Sequence, residues 1–173
     1  LTFVNDQALD VSGHGRSVVR LSRALEKRDI PLLYVQAPQK LQSGDPRLPD
    51  GVSDYGNDYA DQILAVLEEQ GVAALDLRET LAACGRDWSS LFFRTDHHWT
   101  PEAGFLACQT IAETLRRDYG FTIPGKYTDE RFFTRTFYSD YFLGSQGKRV
   151  GSLYAGADDI TLYTPKFDSE LTY

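Results

Sequence analysis

Methionine is absent from this chain of 173 residues, and histidine, tryptophan and cysteine are scarce, with three, two and two copies. A chain that starts at Leu1 and holds no methionine is expected to be a piece of a longer protein. Basic charge is also short. Eighteen Lys and Arg face 25 Asp and Glu, for a net charge of −7, and no basic run occurs. Neutralising a phosphate backbone needs clustered cations, so no nucleic acid is expected as a partner. No stretch approaches the roughly 20 apolar residues that cross a bilayer as a helix, and no leader segment is visible. Cys84 and Cys108 lack metal-ligand spacing. A disulfide between them and two separate thiols both stay open, and Cys108 reads as a buried thiol on the inner face of a helix. A Gly-Asp-Ser-like elbow between a buried strand and a helix, which a serine nucleophile requires, is missing as well. Asp168-Ser169 lacks the glycine, and no apolar run leads into Gly144-Ser145-Gln146-Gly147.

What is present suits one globular domain, since 42% of the residues are apolar. The first part alternates between strand and helix patterns. Leu1–Val4 reads as a strand. Ser12 to about Arg28 reads as a helix with Val18, Leu21 and Leu25 on one face. Residues 30–35 form an apolar run suited to a strand covered on both sides, and residues 36–51, with three prolines, form a long loop. Tyr59, Ile63, Val66 and Leu67 mark a second helix closed by Gly71. Residues 72–77 read as a strand, Arg78 to Cys84 as a short helix, and Ser90–Thr95 as a further buried strand. Thr100, Pro101 and Glu102 then supply an N-cap, a first-turn proline and an acidic first turn. The helix they start is expected to end at Gly120.

This alternation predicts an α/β core with a mainly parallel sheet of at least three strands flanked by helices. Residues 121–173 differ. From residue 120 onward the chain carries 12 of its 20 Phe and Tyr residues, and 131–138 and 159–163 have strand composition. The expected organisation is an α/β core over 1–120 and a β-rich extension over 121–173. The aromatics of the extension suit a carbohydrate platform, or simply a small core.

The chemistry concentrates at Asp96-His97-His98-Trp99, where a strand is expected to end and a helix to begin, the place where open α/β sheets put their sites. In an extended segment residues two apart share a face. Asp96 and His98 would then meet, with His97 pointing elsewhere. A carboxylate against one imidazole nitrogen sets the tautomer and frees the other nitrogen to take a proton from a hydroxyl. The alternative is that Asp96 caps the turn and His98 is a packing residue. Trp99 reads as a packing residue, with sugar stacking as its second reading. Lys40, after the first strong strand, suits an anionic substrate group or plain solvation.

Phe93 to Pro101, together with Phe142–Gly151 and Tyr154–Asp159, resembles the DHHW family. It is similar to the SGNH-like polysaccharide O-acetyltransferases of the alginate type. The resemblance implies an SGNH-like fold. It also implies that Asp96 and His98 are two members of a Ser-His-Asp triad, with the serine later in the chain, beyond Tyr173. On this reading Trp99, Lys40 and His97 are substrate-binding candidates, and the substrate is a polysaccharide or acyl-sugar. No cofactor and no metal is implied. The location would be extracellular or cell-envelope, where an assembly partner also fits. Transferase and esterase chemistry use the same two residues. Two other classes compete. One is a non-catalytic module binding glycan or a partner. The other is a metal-dependent DHH phosphoesterase, which would need further carboxylates, and only Asp76 follows an earlier strand.

Overall fold

The computed structural model describes residues 4–168, so Ser169 and most of the expected Leu1–Val4 strand lie outside the described residues. Backbone contacts divide the chain between Thr80 and Leu81 into two compact units.

The first unit holds α1 (Ser12–Glu26), β1 (Tyr34–Gln36), α2 (Gly56–Glu69), β2 (Ala74–Asp76) and the start of α3 (Leu77–Ala82). β1 and β2 pair in parallel, with Val35 opposite Leu75. Among the described residues the parallel sheet therefore has two strands of three residues, not the three or more that the alternation predicted. Helix α1 buries Gly15 and Val19, with Val18 beside them, while Leu21 is exposed. The buried stripe is thus rotated from the one built on Leu21. The reason is Gly15, where an added Cβ would stand 2.9 Å from Val66 Cβ and 3.2 Å from the Ile63 carbonyl. Only glycine lets α1 and α2 approach this closely, so the contact centres on it rather than on the leucines. Val19, Leu67 and Val72 form the core of this unit, with Leu32, Tyr34 and Ile63 packed on it. Gly71 at φ +67 closes α2 as expected.

The second unit takes in the end of α3 and contains a short 3-10 turn (Trp88–Leu91), α4 (Pro101–Tyr119), β3 (Phe133–Phe142), α5 (Ser145–Val150), α6 (Ser152–Ala155) and β4 (Asp158–Pro165). Residues 90–95 are not a strand. Asp87 caps the 3-10 turn, accepting from Ser89 N–H at 3.0 Å. The chain then doubles back so that Phe92 meets Trp99 in a single antiparallel bridge. Leu91 and Phe92 are buried as side chains in a cluster with Leu81 and Ala103, not as part of a sheet. A short apolar run carries the same pattern in either case.

Helix α4 matches its sequence signals. Thr100 caps it through Ala103 N–H, Pro101 opens it, and Gly120 ends it in the left-handed conformation at φ 69. Its buried residues are Ala103, Ala107, Ala112 and Thr114. Cys108 is exposed rather than buried, and both cysteines are free thiols. β3 and β4 form the expected C-terminal strands as an antiparallel hairpin, with an irregularity between Tyr138 and Phe142. Phe105 of α4 stacks on Tyr163 of β4 at 5.1 Å and meets Phe133 of β3 edge-on at 5.2 Å. These contacts tie α4 to the hairpin. For that reason the compositional boundary at residue 120 does not coincide with the structural division at Thr80/Leu81.

Candidate functional site

Residues 94–98 form a series of bends between the Phe92–Trp99 bridge and Asp158. The bridge is completed by Phe93 N–H donating to the His98 carbonyl at 3.1 Å and Thr100 N–H donating to the Leu91 carbonyl at 2.8 Å. On the other side Asp158, at the start of β4, accepts from Arg94 N–H at 2.8 Å and Thr95 N–H at 2.7 Å. It also accepts from the Thr95 hydroxyl at 2.5 Å. One carboxylate thus fixes the backbone that presents Asp96.

Asp96 is buried, and both its oxygens are used. Oδ1 accepts from His97 N–H at 2.8 Å and His98 N–H at 3.1 Å, and stands 2.6 Å from His98 Nδ1. Oδ2 accepts from Ser145 N–H at 2.6 Å. Burial pushes the Asp96 carboxyl up. The hydrogen bonds from Ser145 N–H, His98 N–H, the His98 ring and the Ser145 hydroxyl outweigh it and hold the group well below the usual carboxylate range. The carboxylate is therefore charged at neutral pH and fixed in direction. It orients His98 with Nδ1 toward itself, which leaves Nε2 as the second nitrogen of a ring whose side chain is 68% exposed.

The expected Asp96–His98 contact is present, but not for the expected reason. The segment is bent, and the two side chains meet because the backbone turns around the carboxylate. The expectation for His97 fails on the same ground. Its Nδ1 is 3.2 Å from Asp96 Oδ1, and its ring lies 3.9 Å from the His98 ring. Trp99 packs on the Leu81–Leu91–Phe92–Ala103 cluster, and a Cβ on Gly104 would stand 3.4 Å from its Nε1. Lys40 belongs to the first unit, half-buried in the loop after β1.

Gly144-Ser145-Gln146-Gly147, examined in sequence as a nucleophile turn, has another place. It starts α5 and closes over Thr95 and Asp96. Gly144 N–H donates to Thr95 Oγ1 at 2.9 Å, and Gly147 N–H donates to the Thr95 carbonyl at 2.8 Å. A Cβ on Gly144 would stand 2.4 Å from Asp96 Cβ and 2.6 Å from the Thr95 carbonyl. Glycine is needed there for close approach alone, since its φ is −71. Thr95 and Asp158 are site residues that pattern reading did not single out, and Gly144 and Gly147 carry a different role from the one weighed for their turn. The only signal was their presence in the stretches that carry the family resemblance.

Asp96, His97 and His98 offer donor atoms within 4.8 Å of one another, a spacing that a metal ion can use. The carboxylate is the difficulty, because each oxygen already accepts from N–H groups. The further carboxylate that a DHH phosphoesterase would need, Asp76, is held by Arg78 at 2.6 Å, and the same guanidinium reaches Asp61 at 2.6 Å. The donor set fits orientation of an imidazole better than capture of a cation.

A family model described as the SGNH hydrolase-like domain of the acetyltransferase AlgX matches residues 3–151. No curated protein matches the chain. Among solved structures, Bacillus cereus PatB1 superposes with a TM-score of 0.72 at 20% identity, over 95% of this chain and 58% of that one. The O-acetyltransferase domain of Pseudomonas putida AlgJ gives 0.67 at 21% identity, over 88% and 55%. A DHHW family protein from Eubacterium siraeum gives 0.66 at 17%, over 92% and 49%. The chain spans about half the length of these structures, and at such identities they share its fold. With the family model covering most of its length, the chain belongs to the SGNH hydrolase-like domain family of the acetyltransferase AlgX.

Proposed function

We propose that this domain supplies the Asp-His half of a serine-dependent O-acetyl transfer site acting on a cell-envelope or extracellular polysaccharide. The observation that carries the reading is the 2.6 Å contact between His98 Nδ1 and a buried Asp96 carboxylate. With Nδ1–H held by Asp96, His98 Nε2 takes the proton of a serine hydroxyl as that oxygen attacks an acetyl carbonyl. The imidazolium returns the proton to the leaving oxygen, and the acetyl group remains on the serine. A sugar hydroxyl then attacks the acyl-serine with the same base, which gives O-acetyl sugar. Water in its place gives acetate. Asp96 acts throughout as the group that orients and stabilises the imidazolium.

Among the described residues no serine is hydrogen-bonded to the His98 ring. Ser145 is spent on Asp96, through its N–H at 2.6 Å and through its hydroxyl. The nucleophile in this reading is a serine outside the described residues. The His97 ring lies 3.9 Å from the His98 ring, and Trp99 follows His98 in the chain and packs on the core cluster. Membership in an acetyltransferase family favours O-acetyl transfer as the reaction class. The same membership is the support for reading the acceptor as a polysaccharide and the location as the cell envelope. No helix among the described residues is long and apolar enough to cross a membrane.

The test is turnover of an acetyl ester, and acetyl transfer to an oligosaccharide, by the natural polypeptide that carries these residues. His98→Ala is expected to lower kcat on the order of 10⁶-fold, and Asp96→Ala on the order of 10⁴-fold. Activity that survives both substitutions overturns the mechanism.

A further inference from the structure

The second unit contains a groove of about 470 Å³ that the Asp96–His98 chemistry does not use. Its volume falls in the range of small-molecule sites. One wall is the face of the hairpin on which Arg135, Phe137, Asp159 and Thr161 lie. Register explains that wall. Arg135 pairs with Tyr163 and Phe137 with Thr161, so these side chains share one side of the hairpin. Farther along the same face, Phe133 and Tyr163 are covered by Phe105. Beyond that aromatic seal the face is open, and Phe137 is 62% exposed. Arg86 and Glu102 also line it, with the Glu102 carboxylate 4.0 Å from the Arg135 guanidinium.

Thr100 and Ser90 line this groove and a neighbouring recess of about 310 Å³, which also shares Asp159 and adds Asp140. Thr100 follows His98 by two residues, so the groove begins within about 7 Å of the imidazole's backbone.

Charge selects the occupant. The groove is lined by two guanidinium groups, Arg86 and Arg135, and three carboxylates, Asp87, Glu102 and Asp159. Donors and acceptors are interspersed, and negative charge exceeds positive. The whole chain carries −7. A polyanion would meet repulsion both at long range and inside the groove. Hydroxyl groups, each both donor and acceptor, match this lining, and the exposed Phe137 ring offers an apolar face to pyranose C–H groups.

We propose that this groove binds an uncharged pyranose segment of the acceptor polysaccharide, and that its lining disfavours polyuronates. The proposal rests on the reading of the domain as acting on glycans and adds the charge class of the substrate. Binding is measured by NMR titration of the chain with cellopentaose and, separately, with oligogalacturonate of the same length at equal ionic strength. The expected result is that cellopentaose shifts resonances of Arg135, Phe137 and Thr161, with a dissociation constant on the order of 1 mM. Phe137→Ala should weaken it roughly 3- to 10-fold, and Glu102→Gln should weaken it as well. Preferential or equal binding of the oligouronate overturns the proposal. So does the absence of shifts with cellopentaose, or binding that neither substitution changes. His98→Ala is expected to bind cellopentaose as the parent does. Loss of activity and loss of binding therefore report on different readings.

Discussion

Two residues show how the site depends on volume and on hydrogen bonding rather than on residue type alone. Gly144 stands where a methyl group would overlap Asp96 and the Thr95 carbonyl. The backbone carbonyl cannot move without breaking the Gly147 N–H bond it accepts. Gly144→Ala is expected to cost about 1–3 kcal/mol and to displace the Ser145 N–H from Asp96. Urea unfolding measures the first effect. A pH titration of the Asp96 carboxyl, rising toward the ordinary carboxylate range, measures the second. Gln146, its neighbour, is 5% exposed, and neither atom of its amide has a partner among the described protein atoms. An unpaired buried amide costs about 1–3 kcal/mol. Gln146→Met keeps the volume and removes that cost, so the midpoint of unfolding is expected to stay the same or rise. A fall of more than about 1 kcal/mol would mean that the amide is bonded in solution.

At the scale of elements, α4 is the frame on which the site hangs. Its N-cap, Thr100, is also the residue whose N–H closes the bridge to Leu91. Thr100→Ala removes the Ala103 N–H acceptor and is expected to cost about 1 kcal/mol. The substitution leaves the backbone bridge in place, so His98 should keep its contact with Asp96. Equilibrium unfolding and the His98 ring resonances separate the two consequences. This helix was legible because its signals are local: a cap, a proline, an acidic first turn and a terminal glycine. The segment 90–95 has the content of a strand without being one, because aromatic and apolar content marks burial without saying which backbone path achieves it. The hairpin strands were legible from β-branched and aromatic content. Their pairing with α4 through Phe105 was not, since it joins residues about sixty positions apart.

Across the molecule, the two most strongly depressed carboxyls, Asp45 and Asp96, lead the acid response, with Asp10, Asp118 and Asp129 held low to a lesser degree at exposed positions. The Arg47 side chain beside Asp45 outweighs burial and holds that carboxyl at about 2. Asp96 is held low by the bonds already described, against the effect of burial. An unfolded chain binds these protons near pH 3.9, the folded chain only at lower pH. Between those values the unfolded state holds more protons, so stability rises with pH. The contribution is complete above about pH 5 and is lost as the pH falls through 4 toward 2. Arg47 is 46% exposed, which weakens the Asp45 share through solvent screening. Thermal melts from pH 7 to 2 are expected to show a falling midpoint below about pH 4. Asp45→Asn should make that fall shallower.

The sequence alone singled out the candidate carriers of chemistry and marked the longer helices α1, α2 and α4, while α5 and α6 were not legible in it. Asp96 and His98 stood out because imidazoles are rare in this chain and a helix start follows them. The helix boundaries followed from caps and glycines, whose effects reach only a turn or two. The alternating apolar segments pointed to an α/β core, and the motif stretches, through the family they resemble, to an SGNH-like fold. Only the tertiary structure decided how Asp96 meets His98, why His97 stays with them and what Gly144-Ser145-Gln146-Gly147 is for. Those outcomes depend on contacts across 49 and 63 residues, Ser145 to Asp96 and Asp158 to Thr95. A carboxylate that gathers backbone N–H groups from distant segments leaves no periodic trace in any one of them, because the donors are main-chain atoms common to every residue.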